Sequence, residues 1–207
     1  MRKVIIASEV PLSGELKIAK GSIITPSAQD AIRERGIKIV EVADDQFDTA
    51  RPEKTVALGS DHGGFVLKKT LLPIFAEFGL SINDIGTDSE EPVDYPDIAA
   101  RVAEIVANGK ATRGVIIDGA GIGSAIVANK FPGIRAALCY DKASARNSRE
   151  HNDSNVLMLG GRLLTPTQAE DVLRVWLSTP FAGGRHAKRV QKIAEIEKAT
   201  KNWTPRS

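Results

Sequence analysis

Between Gly114 and Lys130 the chain reads GVIIDGAGIGSAIVANK: a short apolar run, one carboxylate, then Gly119, Gly121 and Gly123 opening a stretch of Ala, Ile and Val. The run fits a buried strand, and the glycines fit a turn into a helix. Such a turn lets backbone N–H groups close on an anion, which the helix N-terminus also favours. Asp118 stands at its mouth, where its charge would repel a phosphate. A carboxylate in that place is an unexplained acid, for which the rest of the chain must account.

Other groups with chemical potential sit at comparable places. Ser60-Asp61-His62-Gly63-Gly64 follows one strand candidate, Gly160-Gly161-Arg162 another, and Arg149-Glu150-His151-Asn152-Asp153 ends a helix candidate. The three histidines, His62, His151 and His186, fall in loops or at helix ends. Any one of them alone reads as an ordinary surface residue; polar clusters expected along one sheet edge read as a site. Arg185 and Arg189, four apart near a helix start, would present two guanidinium forks to a phosphomonoester. On spacing alone, a solvated basic helix end explains them equally well.

The elements that must position these groups alternate regularly. Strand candidates at 55–59, 81–85, 114–117, 135–139 and 156–159 are interleaved with helical stretches at 65–78, 95–108, 122–129, 142–150 and 166–178, and a last helix runs over about 185–198. Strand-then-helix repetition predicts right-handed crossovers and an α/β fold, a parallel sheet of five strands with helices on both faces. Ligands in such sheets bind outside the carboxyl ends of the strands, where strand order reverses.

Residues 1–42 form a separate strand-helix-strand appendage. A strand is expected within 3–10 and a turn-rich connection over 11–21. Thr25 caps a helix with Pro26 at its first position, Gly36 ends it, and a second strand follows at 37–42. Residues 43–54 read as a linker, 55–200 as the main domain and 201–207 as a tail.

The composition narrows the class. With 28 basic and 26 acidic residues among 207, interspersed to a net +2, nothing calls for nucleic acid or an anionic membrane. A 42% hydrophobic content suffices for a core, and no run approaches the ~18 apolar residues of a membrane span. The one cysteine, Cys139, cannot pair within the chain. A cytoplasmic protein is expected.

GSDHGGFVLK (59–68), Asp94-Tyr95-Pro96, GAGIGSAIVANK (119–130), GIRAALC (133–139), REHNDSNVL (149–157) and GGRHAKRV (183–190) together resemble the ribose-5-phosphate isomerase B family, which includes galactose-6-phosphate isomerase subunits. The resemblance covers about 56–196. It implies a Rossmann-like five-stranded parallel fold, a homodimer or homotetramer with sites shared between subunits, and no metal or organic cofactor. It also implies aldose-ketose isomerisation of a phosphorylated sugar through an enediolate. By motif, Asp61 would bind sugar hydroxyls, His62 would lie near the phosphate and Tyr95 would line the site. His151, from a partner subunit, would assist ring opening and Asn152 would contact the open-chain oxygen. Arg162, Arg185 and Arg189 would hold the phosphate, and the loop from Gly119 through Gly121 to Gly123 would offer N–H groups to the oxyanion.

The departure lies in the opening stretch. Many members carry Cys-Gly-Thr-Gly, with the Cys as base, where this chain has Asp118-Gly119-Ala120-Gly121. Another branch supplies a Glu where this chain has Ser124. Asp118 is therefore the favoured base for ribose 5-phosphate and ribulose 5-phosphate. The alternatives are another sugar phosphate, such as allose 6-phosphate or galactose 6-phosphate, or a non-catalytic sugar-phosphate-binding homologue or subunit. A dinucleotide loop at Gly119-x-Gly121-x-Gly123 fits worse, because its third glycine comes one position early and Asp118 would face a pyrophosphate. Residues 1–53 are similar to segments of bacterial-microcompartment enzymes, implying docking to a shell or a pathway enzyme; an oligomerisation aid is the plainer alternative.

Overall fold

The computed structural model describes residues 4–5, 10–11, 14–19, 21–42 and 55–200. The chain separates into two compact units, 1–51 and 52–207. The expected linker at 43–54 and the tail at 201–207 lie outside the described residues.

In the larger unit the five strands, numbered after four in the smaller unit, are β5 (Thr55–Ser60), β6 (Ser81–Asp84), β7 (Arg113–Asp118), β8 (Ala136–Leu138) and β9 (Val156–Gly160). All pairings are parallel and the order is β6-β5-β7-β9-β8. The central strands are buried along nearly their whole length, which is why their sequences run apolar instead of alternating. From β5 the chain steps to β6 on one side and then to β7 on the other. The order therefore reverses between β5 and β7, and a crevice opens there at the carboxyl edge.

Helices cover both faces. On one side α2 (Phe65–Glu77), α5 (Lys142–Glu150) and α6 (Pro166–Ser178) enclose a core containing Leu58, Leu71, Phe75, Ile117, Leu159, Leu173 and Trp176. On the other, α3 (Tyr95–Ala107) and α4 (Ile122–Ala128) pack over Ala57, Val102, Ile116 and Met158. Burying each large apolar side chain contributes roughly 1.5–3 kcal/mol before the entropy of ordering is charged against it. The last helix, α7 (Arg185–Thr200), buries only His186. Capping boxes at Asp141 and Thr165 fix the starts of α5 and α6. Among the described residues no helix is long and apolar enough to cross a membrane.

The smaller unit has two parallel strand pairs, β1 (Val4–Ile5) with β3 (Ile23–Ile24) and β2 (Glu15–Ala19) with β4 (Lys38–Val42), around α1 (Pro26–Arg35). Thr25 caps α1 through Ala28 N–H and Gly36 ends it at φ 62°. Ile5, Val10, Leu16, Ile18, Ala28, Ala31 and Ile37 form its own core. The expected turn-rich connection at 11–21 is instead the strand β2, paired with β4 over five residues. Its Leu16 and Ile18 are buried at period two, a signal that flanking Pro11, Gly14 and Gly21 obscured.

Candidate active site

The crevice between β5 and β7 brings three glycine-bearing turns together. Asp61 N–H donates to Ile117 O (3.2 Å), Gly161 N–H to Asp118 O (2.6 Å) and Arg162 N–H to Gly119 O (3.0 Å). The turns pack backbone on backbone: a methyl group on Gly161 would stand 2.6 Å from Gly63 O, and one on Gly123 would stand 2.5 Å from the Tyr95 ring. Arg162 runs along the same seam, its Nε 3.3 Å from where a Gly63 methyl group would be. Asp61, Asp118, Tyr95, Arg162 and the Gly119–Gly123 turn thus share the carboxyl edge. Asp61 is 6% exposed, and its Oδ1 accepts the Gly64 N–H (2.9 Å) at the start of α2.

Asp118, 4% exposed, is the most heavily bonded group of the crevice. Its Oδ1 accepts N–H from Ala120 (2.9 Å) and from Gly121, and its Oδ2 accepts the Ser124 N–H (3.2 Å) and the Ser124 hydroxyl. Four donors match the roughly four lone-pair sites of a carboxylate. The side chain folds forward over its own turn, neutralising the first donors of α4 as a cap does. Gly121, at φ +80°, provides the left-handed bend that makes this possible. One consequence corrects the expectation of a turn offering all its amides to a ligand. The N–H groups of Ala120, Gly121 and Ser124 already donate to Asp118.

His62 stands beside this seam with its Nδ1 accepting the Val93 N–H (3.3 Å). Together with Ile85, Gly86, Thr87, Asp94 and Asp97 it lines a cavity of about 630 Å³.

The remaining expected site residues gather elsewhere. Because α5 runs back across the sheet, His151 at its end and Asn152 lie at the amino edge, where Arg135 Nε donates to Asn152 O (3.1 Å) and Asp153 O (2.9 Å) at the entry to β8. His151 stacks on His186 with ring centroids 4.2 Å apart and planes 2° from parallel. Its Nδ1 meets the Asn147 amide at 2.8 Å, and Asn152 Nδ2 donates to Asn147 Oδ1 (3.3 Å). Arg185 and Arg189, at the start of α7, are exposed beside His186. Burial first, then the neighbouring charges of His151, Arg185 and Arg189, holds the His186 imidazole below its ordinary 6.5. Strand-end placement gathers the clusters along one edge, whereas the resemblance draws His151 from a partner subunit. Within one chain they divide between two edges, and Arg162 cannot share a phosphate with Arg185 and Arg189 of the same protomer.

Two structural partners went unread in the sequence. In the sequence Ser124 reads only as the position where a Glu is absent, yet it is fully buried and bonded to Asp118. Lys68 carries a 5% exposed side chain and donates to Asp84 and to Thr87 O. A lysine among Val66, Leu67, Leu71 and Leu72 was the available signal for the second.

Comparison with known proteins matches residues 56–193 to the Ribose/Galactose Isomerase family model. A relative named ribose-5-phosphate isomerase B, from Escherichia coli, is 44% identical over 144 residues, covering 70% of this chain and 97% of that protein. A relative named D-erythrulose-4-phosphate isomerase, from Pectobacterium atrosepticum, is 39% identical over 150 residues, covering 72% and 98%. A solved structure of Clostridium thermocellum ribose-5-phosphate isomerase B superposes with TM-score 0.69 at 48% identity, covering 71% of this chain and 99% of that one. The chain belongs to the ribose/galactose isomerase family.

Proposed function

We propose that this family member interconverts ribose 5-phosphate and ribulose 5-phosphate through an enediolate, at a site built by two copies of the chain. The reading rests on one observation: Asp61, Asp118 and Arg162 meet in the crevice where strand order reverses, inside a fold shared with named sugar-phosphate isomerases. The carboxyl edge of one protomer supplies Asp61 for sugar hydroxyls, His62 and Arg162 toward the phosphate, and Tyr95 as a wall. The amino edge of a second copy supplies His151 and Asn152 for ring opening, and Arg185 and Arg189 for the phosphate. That division reconciles the two clusters with one substrate.

Asp118 is the proposed base: it takes the proton from C2 of the aldose and returns it to C1, while the C2 hydroxyl proton passes to the C1 oxygen across the enediolate. The negative charge that develops on the oxygens is met by the amides of Gly119 and Gly123, which do not donate to Asp118. For Asp118 to act, the Ser124 hydroxyl must leave Oδ2, a rotation about one side-chain bond. A carboxylate base is suited to this chemistry, as triosephosphate isomerase, the general example of a glutamate base, illustrates.

The test is an assay of wild type, Asp118→Asn and Ser124→Ala over pentose, tetrose and hexose phosphates. Asp118→Asn is expected to lower kcat by at least about 10²-fold, the lower end of what a positioned base contributes. Ser124→Ala, which removes a competing donor, should keep or raise kcat. A wild type inactive on every sugar phosphate overturns the reading, and an Asp118→Asn enzyme at full rate moves the base elsewhere. The named activity of the Pectobacterium relative makes D-erythrulose 4-phosphate the second substrate to try.

For residues 1–53 we propose docking to a microcompartment shell or a pathway enzyme. Deletion that leaves assembly intact but abolishes co-localisation supports this; a changed oligomeric state supports the plainer alternative.

A further inference from the structure

The segment from Ile85 to Val93, between β6 and α3, is tied down at nearly every second residue. Its start continues the sheet ladder: Ile85 N–H donates to Leu58 O (2.9 Å) and Thr87 N–H to Ser60 O (2.9 Å), next to Asp61 and His62. The buried Lys68 ammonium reaches across from α2 to Asp84, at 2.8 and 3.0 Å, and to Thr87 O at 2.7 Å. Asp84 Oδ1 also accepts the Gly86 N–H (3.0 Å). Beyond Thr87 the ties continue. Thr87 Oγ1 donates to Ser89 O (3.2 Å) and accepts Ser89 N–H (3.3 Å), and Ser89 Oγ accepts Glu91 N–H (3.4 Å). Pro92 then restricts the backbone, and Val93 donates to His62 Nδ1.

A ring nitrogen that accepts from an amide cannot itself carry hydrogen, so the neutral ring must hold its proton on Nε2. We propose that Lys68 is a positioning residue. Through Thr87, Ser89 and Glu91 it sets the 85–93 segment so that the Val93 amide fixes His62 as the Nε2–H tautomer and presents that N–H to the substrate. The ammonium is the right group for this work: it brings three donors to Asp84 and the Thr87 carbonyl from a side chain that is itself buried. The inference deepens the proposed function, because it rests on His62 facing the phosphate.

Nuclear magnetic resonance on the substrate-free full chain tests the geometry independently of activity. Wild type is expected to show a two-bond nitrogen–nitrogen coupling across the Val93 N–H···Nδ1 hydrogen bond, with a pyridine-type Nδ1 and a pyrrole-type Nε2. Val93→Pro, in an exposed segment, removes the donor and should abolish the coupling. Lys68→Met should abolish it with the far-ultraviolet spectrum retained, and Lys68→Arg should restore part of it. In the assay, Val93→Pro and Lys68→Met should raise KM for the sugar phosphate about three- to tenfold with kcat nearly unchanged, the size of one hydrogen bond. A wild type without the coupling overturns the proposal for His62. A folded Lys68→Met chain that keeps both coupling and KM overturns it for Lys68; should Lys68→Met fail to fold, Lys68→Arg with a coupling unlike wild type supports the role and one identical to wild type with unchanged KM overturns it. Inactivity of the wild type would overturn the proposed function instead, leaving the coupling readable.

Discussion

At the scale of single residues, the chemistry of this chain turns on where lone pairs and protons are already committed. Asp118 was singled out in the sequence for its incongruous charge at a glycine turn; the structure resolves the incongruity by folding the carboxylate over three amides and a hydroxyl. Sequence spacing could place Asp118 at the turn but could not reveal the direction of its side chain. Two titrating groups lead to expectations. His186 is held below 6.5, so the unfolded chain binds its proton more readily than the folded one. Stability is therefore lost as pH falls from about 6.5 toward the lowered folded value. Thermal unfolding is expected at lower temperature at pH 5.5 than at pH 7.5, and His186→Gln should flatten that dependence; an unchanged slope would refute it. The Cys139 thiol is pushed up by burial, which outweighs its contacts with Ser148 and Ser144. It should resist a thiol reagent at pH 8 in native protein and react on unfolding.

Element boundaries in the larger unit were legible to within about two residues, because Gly, Pro and capping residues mark the ends that physics requires. Helices α5 and α6 begin where Asp141 and Thr165 close reciprocal hydrogen bonds with Ser144 and Gln168. Thr165→Ala should lower stability by about 1 kcal/mol in a denaturant titration. What residue spacing alone conceals is direction, although the family resemblance, by drawing His151 from a partner subunit, already separates it from the Asp118 turn. A helix that crosses back over a parallel sheet must end at the amino edge, so the His151 motif could never have joined the Asp118 turn in one protomer. Following chain direction through α5 gives the physical reason for that separation. β2 was missed for another reason: in so short a strand, three turn-forming neighbours outnumbered two inward apolar residues.

At the scale of the molecule, the split between edges makes the proposed site a property of an assembly. Asp118→Asn and His151→Ala chains should each be inactive alone. Co-expressed, they should regain activity, since a mixed pair holds one site with both wild-type halves; no recovery would place the halves in independent sites. The relative from E. coli is 97% covered by 144 aligned residues, so its counterpart here lies in the larger unit. A chain beginning at Pro52 is expected to keep isomerase activity, and loss of it would assign residues 1–51 a part in the site.

The double Arg135 and Arg149 clamp on Asp153 bears on how such an assembly arises. Asp153 has φ +46°, uncommon for a residue with a side chain, and each of its carboxylate oxygens meets a different guanidinium at 2.9 Å. One of these arginines enters β8 and the other closes α5, so the pair locks the turn bearing His151 and Asn152 from within its own protomer. In the proposed pair each copy would therefore bring its half of the site already ordered, and pairing would cost little reorganisation.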